Sequence, residues 1–359
     1  MLSRRFLLAS AGPVIAGCAS STPPARTAAP TAAPTAAPLV VVPPPVAAPA
    51  VAAAPQEAVL DAAGFDTFLD GLRADARRAG VSAPTVQRAL SGIRPLARVL
   101  ELDRKQPEGA LSWEQYRDRI VSQTRIENGR RAYAENRAVL EAIQSRYQVS
   151  PRVVVAIWGM ETNYGSNTGG FSVVEALATL AWEGRRAAFF RGELLAALRI
   201  LDAGHVSPEG MRGSWAGAMG HPQFMPTSFE RLAVDFDGDG RKDIWGSRAD
   251  ALGSIANYLA RSGWQAERGW AIEARPPAGF DIERVDTDTK RSVGEWARLG
   301  WRRADGSPLP GGDTEATLAV PARSGGQVFL GLPNLRVIRR YNSPINYALA
   351  VGLLADRVA

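Results

Sequence analysis

The chain has 359 residues, of which about 300 have a globular composition, and its single cysteine excludes an intrachain disulfide. Its 42 Lys and Arg residues against 36 Asp and Glu residues give a net charge of +6. This small excess is compatible with acidic polymers, but no basic motif of a nucleic-acid module accompanies it, so we predict no nucleic-acid partner.

The first 57 residues read as a targeting signal and a tether. Arg4 and Arg5 precede an apolar stretch over 6–16, which is too short to be a permanent membrane span and is typical of a secretory signal. The following Ile-Ala-Gly-Cys resembles the bacterial lipobox, which predicts a signal peptide over 1–17 and lipidation of Cys18. The alternative is an ordinary signal peptide. Residues 18–57 are rich in Ala and Pro, which predicts an extended tether.

A helical subdomain is predicted over 58–150. Phe65, Phe68, Leu69 and Leu72 fit one face of a short helix. A longer helix is expected from about residue 126 to 147, and its apolar face carries Tyr133, Leu140, Ile143 and Tyr147. The aromatic side chains between the two helices, Trp113 and Tyr116, are read as core packing from the pattern alone.

A third helix, after Ser150 and Pro151, is apolar on every side and therefore belongs in the core. It contains one carboxylate, Glu161, before Asn163 and Gly165 end it. Burial and the negative end of the helix dipole both favour the neutral form of this carboxyl group, as a general acid requires. The alternative is a core glutamate held by an arginine.

Two more helices are predicted, from Ser172 to about residue 182 and over 185–202, followed by a glycine-rich segment over 210–226. Its glycines allow the backbone to approach a ligand or another helix closely, so this segment is a candidate binding surface. The two histidines, His205 and His221, lack the spacing of metal ligands and are read as structural or surface residues.

Residues 235–243, DFDGDGRKD, match the first nine positions of an EF-hand calcium loop. The twelfth position, normally a bidentate Glu, is Gly246, and Asp250 is the expected replacement from the next helix, over 247–262. We predict structural Ca²⁺ held by oxygen atoms of Asp235, Asp237, Asp239, Arg241 (its carbonyl) and Asp250. The alternatives are an acidic turn and a capping role for Asp250.

The segment 266–335 changes character, with many glycines and prolines between short strand-like runs, such as 270–274, 317–320 and 327–330. Trp296 and Trp301 indicate a small helix or turn. We predict a small β-containing insertion here and a core of 151–265 that residues 336–359 complete with an apolar helix after Pro344.

Several ordered motifs resemble the lytic murein transglycosylase B family, over most of the chain from about residue 60. They are METNYG (160–165), SWAGAMG (214–220), QFMP (223–226), the acidic loop, ANY (256–258), and Tyr341, Asn342 and Tyr347. The resemblance implies an α+β, mainly α fold, with a lysozyme-like catalytic core, an added N-terminal helical part and a small β insertion.

The resemblance also implies a function. Such an enzyme cleaves the β-1,4 bond between N-acetylmuramic acid and N-acetylglucosamine in peptidoglycan, and its product carries a 1,6-anhydromuramyl end. By position, Glu161 is the acid and base, while Ser214 and Asn342 hold the reacting sugar. The remaining groove residues would be Tyr116, Gln223, Phe224, Tyr341 and Tyr347, and the acidic loop would be the calcium site.

Two alternatives to this function remain open at the level of the sequence. One is a hydrolytic muramidase, and the other is a non-catalytic, calcium-bearing lipoprotein that binds the cell wall. The expected partners are peptidoglycan strands and a membrane reached through the Cys18 anchor, with contacts to cell-wall synthesis proteins left open. The expected location is the periplasm, and Ala19 rather than Asp after Cys18 favours the outer membrane.

Overall fold

The computed structural model describes residues 61–105, 111–266, 268–284, 286–322 and 326–359, so Cys18 and the tether lie outside the described residues. Fourteen helices are found in these ranges: α1 Ala62–Arg78, α2 Ala83–Leu90, α3 Ala97–Arg104, α4 Trp113–Ile120, α5 Gln123–Glu135, α6 Arg137–Tyr147, α7 Pro151–Thr162, α8 Val173–Glu183, α9 Ala187–Asp202, α10 Pro226–Leu232, α11 Arg248–Arg261, α12 Val293–Arg298, α13 Pro333–Tyr341 and α14 Ile345–Ala355. No helix among them is long and apolar enough to cross a membrane.

Local signals in the sequence explain where many of these helices begin. The hydroxyl groups of several serines accept a backbone N–H of the first turn, and proline occupies an early position in α7, α10 and α13. The single helix expected over 126–147 is wrong, because the chain forms α5 and α6 with a break at Asn136. There the side-chain amide donates to the Ala132 carbonyl at 2.8 Å, which competes with the helical pattern.

Two hydrophobic clusters lie side by side in the helical part. The first contains α7 and α14 together with residues of α4–α6, α11 and α13. Ten of the twelve residues of α7 are buried, and seven of them belong to this cluster. The second joins α1–α3 with α8–α10. The helices of the predicted 58–150 subdomain are thus divided between the two clusters, and the catalytic-helix candidate is at the centre of the first.

The strands form two sheets. A short pair joins β1 Phe171–Ser172 to β2 Arg212–Gly213. The other five, β3 Ala271–Arg275, β4 Lys290–Ser292, β5 Arg302–Arg303, β6 Glu315–Ala319 and β7 Val328–Gly331, form an antiparallel sheet in the order β4-β6-β7-β3-β5. The three predicted strand regions are confirmed as β3, β6 and β7. This sheet has its own core, which includes Trp296 and Trp301.

The five-stranded sheet fixes α4 beside the first cluster. Gln327 accepts hydrogen bonds from the Trp113 indole and the Arg117 guanidinium of α4, both at 2.9 Å, and donates to Glu273 at 3.0 Å. Trp113 also packs edge-on against Phe329. The insertion therefore holds the helix that carries Tyr116.

Candidate active site

Glu161 lies in the last turn of α7, where the core helix reaches the surface of the first cluster. Three consecutive residues after Thr162 adopt left-handed backbone conformations: Asn163 (φ 49°), Tyr164 (φ 60°) and Gly165 (φ 86°). Two non-glycine residues in this region indicate local strain that surrounding contacts must hold. The strained turn fixes the end of the helix and the direction of the glutamate.

Burial is the main influence on the Glu161 carboxyl group. It raises the pKa of Glu161 to about 7, and a hydrogen bond from the Tyr347 hydroxyl to Oε1, at 2.6 Å, opposes this rise. The position at the helix C-terminus also favours the neutral form. The alternative of an arginine partner does not hold among the described residues, where Glu161 makes no ion pair. The carboxyl group therefore carries a proton near neutral pH and can release it.

Three tyrosines surround this carboxyl group. Tyr347 on α14 is 3% exposed and gives the hydrogen bond, and the Glu161 charge acts on the hydroxyl groups of Tyr116 and Tyr341 as well. Burial is the first cause and the Glu161 charge the second in raising the pKa of Tyr116 to about 12. Elements distant in sequence, α4, α7, α13 and α14, thus meet at one carboxyl group.

The glycine-rich segment is joined to this cluster by Tyr341. Its hydroxyl donates to the Pro222 carbonyl at 2.6 Å, and its ring lies 4.6 Å from that of Tyr258 and 5.9 Å from that of Phe224. Phe224 is only 2% exposed, so the Tyr341 ring packs against a buried side chain. Gln223 has a left-handed backbone (φ 51°) and donates to the carbonyls of Thr168 and Gly220.

Polar side chains at the end of α13, at the start of α14 and in the glycine-rich segment keep hydrogen-bonding capacity that the protein does not use. The Oδ1 atom of Asn342 is buried without a partner, and the same holds for Asn346. The Ser214 hydroxyl, in a residue 4% exposed, accepts from the Ala218 amide at 3.1 Å, which leaves its own proton to donate. Buried acceptors without donors are uncommon in folded proteins, so these oxygen atoms are free to accept hydrogen bonds from water or from a ligand.

The acidic loop brings together the four predicted carboxylates. Oxygen atoms of Asp235, Asp237, Asp239 and Asp250 all lie within 4.8 Å of one another. Asp250 is fully buried at the start of α11 and accepts the amides of Phe236, Asp237 and Asp243. This set of hard oxygen ligands fits Ca²⁺, and the convergence of four negative charges is unfavourable without a cation. Gly246, at the twelfth position, has no side-chain ligand, and Asp250 supplies a carboxylate near the other three instead.

Both histidines contact the segment that leaves this loop. The Nδ1 atom of His205 accepts the Lys242 amide at 3.2 Å. The backbone of His221 donates to the Ile244 carbonyl, while its Nδ1 accepts the Trp158 indole at 3.0 Å. His221 therefore links the end of the acidic loop to the helix of Glu161. Sequence reasoning missed this link, since a lone histidine has no spacing pattern to read.

The chain is similar in sequence to known proteins. A family model described as "Transglycosylase SLT domain" matches residues 64–356. The chain is 36% identical over 259 residues to the membrane-bound lytic murein transglycosylase B of Escherichia coli (strain K12), which covers 70% of this chain and 68% of that protein.

Solved structures extend the similarity to the fold. SltB3 of Pseudomonas aeruginosa, in complex with NAG-anhNAM-pentapeptide, is 46% identical with a TM-score of 0.80, and the match covers 82% of this chain and 79% of that one. Escherichia coli Slt35 in complex with calcium is 34% identical with a TM-score of 0.69, and the match covers 83% of this chain and 93% of that one. The mainly helical, lysozyme-like fold with a small sheet, which the motifs led us to expect, is confirmed.

Proposed function

Since the chain belongs to the transglycosylase SLT domain family, we propose that Glu161 is the single acid and base of its reaction. The protein is a lytic transglycosylase that cleaves the β-1,4 bond between N-acetylmuramic acid and N-acetylglucosamine in peptidoglycan, with a 1,6-anhydromuramyl end as the product. Its role is in cell-wall remodelling and turnover. The single observation that carries the proposal for Glu161 is its carboxyl group, buried among tyrosines with one hydrogen bond from Tyr347 and no ion pair among the described residues.

The first step is protonation of the leaving group. Glu161 donates its proton to the oxygen of the glycosidic bond, and the bond from this oxygen to C1 of the muramyl sugar breaks. Positive charge then develops on the muramyl ring, which resembles an oxocarbenium ion. Because Glu161 is the only carboxylate we assign to the reacting centre, the N-acetyl group of the substrate is the natural stabiliser of this charge.

The second step returns the proton to the enzyme. The ionised Glu161 takes the proton of the muramyl 6-hydroxyl, whose oxygen forms the new bond to C1 and closes the anhydro ring. The nucleophile is part of the substrate, so the step is intramolecular, and orientation alone can lower such a barrier by roughly 7–11 kcal/mol. The Tyr347 hydroxyl donates to the carboxylate between the two steps and limits the cost of its charge.

Polar groups with unused hydrogen-bonding capacity are available to hold the sugar. We assign the buried Oδ1 of Asn342 and the free hydroxyl proton of Ser214 to the N-acetyl and hydroxyl groups of the reacting sugar. Tyr116, Gln223, Tyr341 and Tyr347 line the groove, and Phe224 acts through the Tyr341 ring that it supports.

For the acidic loop we propose bound Ca²⁺ that stabilises the fold and takes no part in the chemistry. Asp235, Asp237, Asp239, the Arg241 carbonyl and Asp250 would hold it. Slt35, a structural relative, was solved in complex with calcium, which supports the choice of ion. Hydrogen bonds join the Ile244 carbonyl to His221 and His221 to the Trp158 indole. Through them, an ion that orders the acidic loop would also stabilise the end of α7.

For the N-terminus we propose a periplasmic enzyme anchored by lipid at Cys18, in the outer membrane. A relative of this chain is a membrane-bound transglycosylase. A single acyl chain binds a protein to a membrane only reversibly, whereas dual acylation anchors it stably. Membrane fractionation of wild type and Cys18→Ser tests the anchor. The variant is expected in the soluble fraction, and retention with the membrane would assign the attachment to another segment.

Mass spectrometry of the products of purified peptidoglycan tests the proposed reaction. Anhydromuramyl ends are expected from the wild type. Reducing muramyl ends as the main product would mean that water is the nucleophile, as in a muramidase, and absence of any cleavage would favour a non-catalytic wall-binding protein. Glu161→Gln is expected to bind glycan without cleaving it.

A further inference from the structure

A cavity of about 290 Å³ opens between α5 and the strained turn that follows Glu161. Trp158, Asn163 and Tyr164 form its wall on the side of the catalytic helix, and Ser166 lies at its edge. Side chains of α5 and the first residue of α11 form the opposite wall. None of the residues assigned above to the reacting sugar lines this cavity, so the cavity is distinct from the proposed sugar site.

Tyr164, which lines the cavity, is held between two helices. Its hydroxyl donates to the Arg125 carbonyl at 2.9 Å, and the ring passes between α5 and α7. A Cβ atom on Gly129 would lie 2.5 Å from the Tyr164 hydroxyl, and one on Gly159 would lie 2.5 Å from its ring. Both helices therefore carry glycine at the positions that the Tyr164 ring contacts. This packing holds the strained turn, which follows Glu161, in one conformation.

The cavity has a positive lining. Arg131 and Arg248 contribute two guanidinium groups, against one carboxylate, Glu135. Arg248 and Glu135 are 3.7 Å apart and both more than half exposed, so this pair is loose and worth little. Arg131 donates to Asn128 of its own helix and makes no ion pair within the described ranges. At least one cation is therefore available to an anionic ligand.

A third cation connects the cavity to the catalytic centre. Arg125 is partly buried on α5 and donates to the Ile120 carbonyl at 3.1 Å, with no carboxylate partner in the described part of the chain. It lies close enough to Tyr116 and Tyr164 to act on both, and Tyr116 in turn feels the charge of Glu161. Cations thus follow α5 from the neighbourhood of Glu161 to the cavity.

We propose that this cavity binds the C-terminal carboxylate of the peptide carried by the muramyl sugar, an inference that rests on the proposed function. One relative, SltB3, was solved in two complexes with pentapeptide-bearing saccharides. An extended pentapeptide reaches up to about 17 Å, whereas Arg125 and Arg131 are separated by only about 9 Å along the helix axis. A guanidinium fork is the side-chain group best suited to a carboxylate.

The test uses the ratio of kcat/KM on pentapeptide-bearing glycan to kcat/KM on the same glycan after enzymatic removal of its peptides. The double variant Arg131→Gln/Arg248→Gln removes the charge-assisted hydrogen bonds to the carboxylate and is expected to lower this ratio roughly tenfold. The matched control, Arg77→Gln/Arg298→Gln, removes two exposed positive charges on α1 and α12, away from the cavity, and is expected to keep the wild-type ratio. Equal ratios in the wild type and the cavity variant would overturn the proposal.

A binding measurement separates this proposal from the catalytic one. In the Glu161→Gln background, calorimetry compares a disaccharide pentapeptide with its C-terminal amide. The free acid is expected to bind about tenfold more tightly, and this difference is expected to vanish when Arg131 and Arg248 are replaced. Equal affinities of acid and amide would overturn the carboxylate site even if the anhydro products confirm the reaction. Tighter binding of the free-acid peptide than of its amide would still support the carboxylate site, even if a residue other than Glu161 proved to be the general acid.

Discussion

Glu161 and Asp250 each carry a carboxyl group on a helix of the same protein, but the two groups differ in their hydrogen-bond donors and in their neighbours. Glu161, at the end of α7, receives one hydrogen bond from a tyrosine and lies among aromatic side chains. Asp250, at the start of α11, receives three backbone amides and faces three other carboxylates. Burial raises the pKa of both groups, but only at Asp250 do several amides act against that effect.

The difference shows that the hydrogen-bond donors around a buried carboxyl group, and not burial alone, decide what that group does. A group with one hydroxyl donor at the negative end of a helix gains most from holding a proton, so it is suited to proton transfer. A group with several amide donors at the positive end of a helix is held as an anion, so it is suited to a cation. Glu193 is a third case, 4% exposed, which accepts the amide and hydroxyl of Thr227 and so caps α10.

The largest effect is expected from Glu161→Gln, which keeps the shape of the side chain and removes both proton transfers. Turnover of peptidoglycan is expected to fall by at least ~10², since general acid–base catalysis contributes about that much or more. Release of soluble muropeptides measures it. Glu193→Gln is the matched control, because it neutralises a buried carboxylate that serves only structure, and its turnover at a temperature where it is folded is expected to stay near wild type. Wild-type turnover by Glu161→Gln would mean that Glu161, like Glu193, is not the acid and base of the reaction.

Asp250→Asn tests the other side of the comparison. The Asn side chain places an NH₂ group against backbone amides that need an acceptor, so we expect a loss of roughly 2–4 kcal/mol in the free energy of unfolding. The variant is also expected to lose the stabilisation by Ca²⁺, which for the wild type is about 2.7 kcal/mol at a hundredfold excess over Kd. Thermal melting with Ca²⁺ and with chelator measures both, and Glu193→Gln is expected to keep the calcium-dependent shift. An unchanged melting temperature of the wild type in chelator would argue against the metal.

How much of this arrangement the sequence predicts depends on how local the signal is. The Glu161 helix, the acidic loop and the strands around Thr317 and Phe329 are each written in one continuous stretch, and the structure contains them. The division of residues 126–147 into two helices was missed, because the apolar period continues through Asn136 while a side-chain hydrogen bond breaks the helix. The packing of α4–α6 and α1–α3 into different clusters has no signature in the pattern.

The candidate site shows the same limit. Motif resemblance named Tyr347, but the sequence alone does not place its hydroxyl group beside a glutamate 186 residues away. The cavity along α5 was not foreseen at all, since its walls come from three helices and one turn. Gly159, in the middle of an otherwise bulky apolar helix, is the signal that could have indicated a close approach.

Stability as a function of pH sharpens the assignment of Glu161 independently of activity. The pKa of this group is about 7 in the folded protein and about 4.3 in an unfolded chain, so its contribution to stability is complete below pH 4 and is lost as pH rises through 7. Between pH 4 and pH 8 the wild type is expected to lose roughly 2–3 kcal/mol relative to Glu161→Gln, less than complete burial would give, because the residue as a whole is partly exposed. Urea unfolding at several pH values measures the difference. Parallel stability curves for the two proteins would place the pKa of Glu161 near its ordinary value.

The smallest expected effect concerns the hydroxyl group of Tyr347. It donates to the ionised form of Glu161 and lowers the pKa of that group, so its removal in Tyr347→Phe raises the pKa further. Because the first step needs the protonated acid, kcat/KM falls as pH rises through the pKa, and this basic limb is expected to move to higher pH by about one pH unit. Tyr258→Phe is the matched control, since its hydroxyl donates to the Arg340 carbonyl and its limb is expected to stay in place. A shift to lower pH in Tyr347→Phe would mean that the hydroxyl stabilises the protonated acid, and the one hydrogen bond that distinguishes Glu161 from Asp250 would then act in the opposite sense.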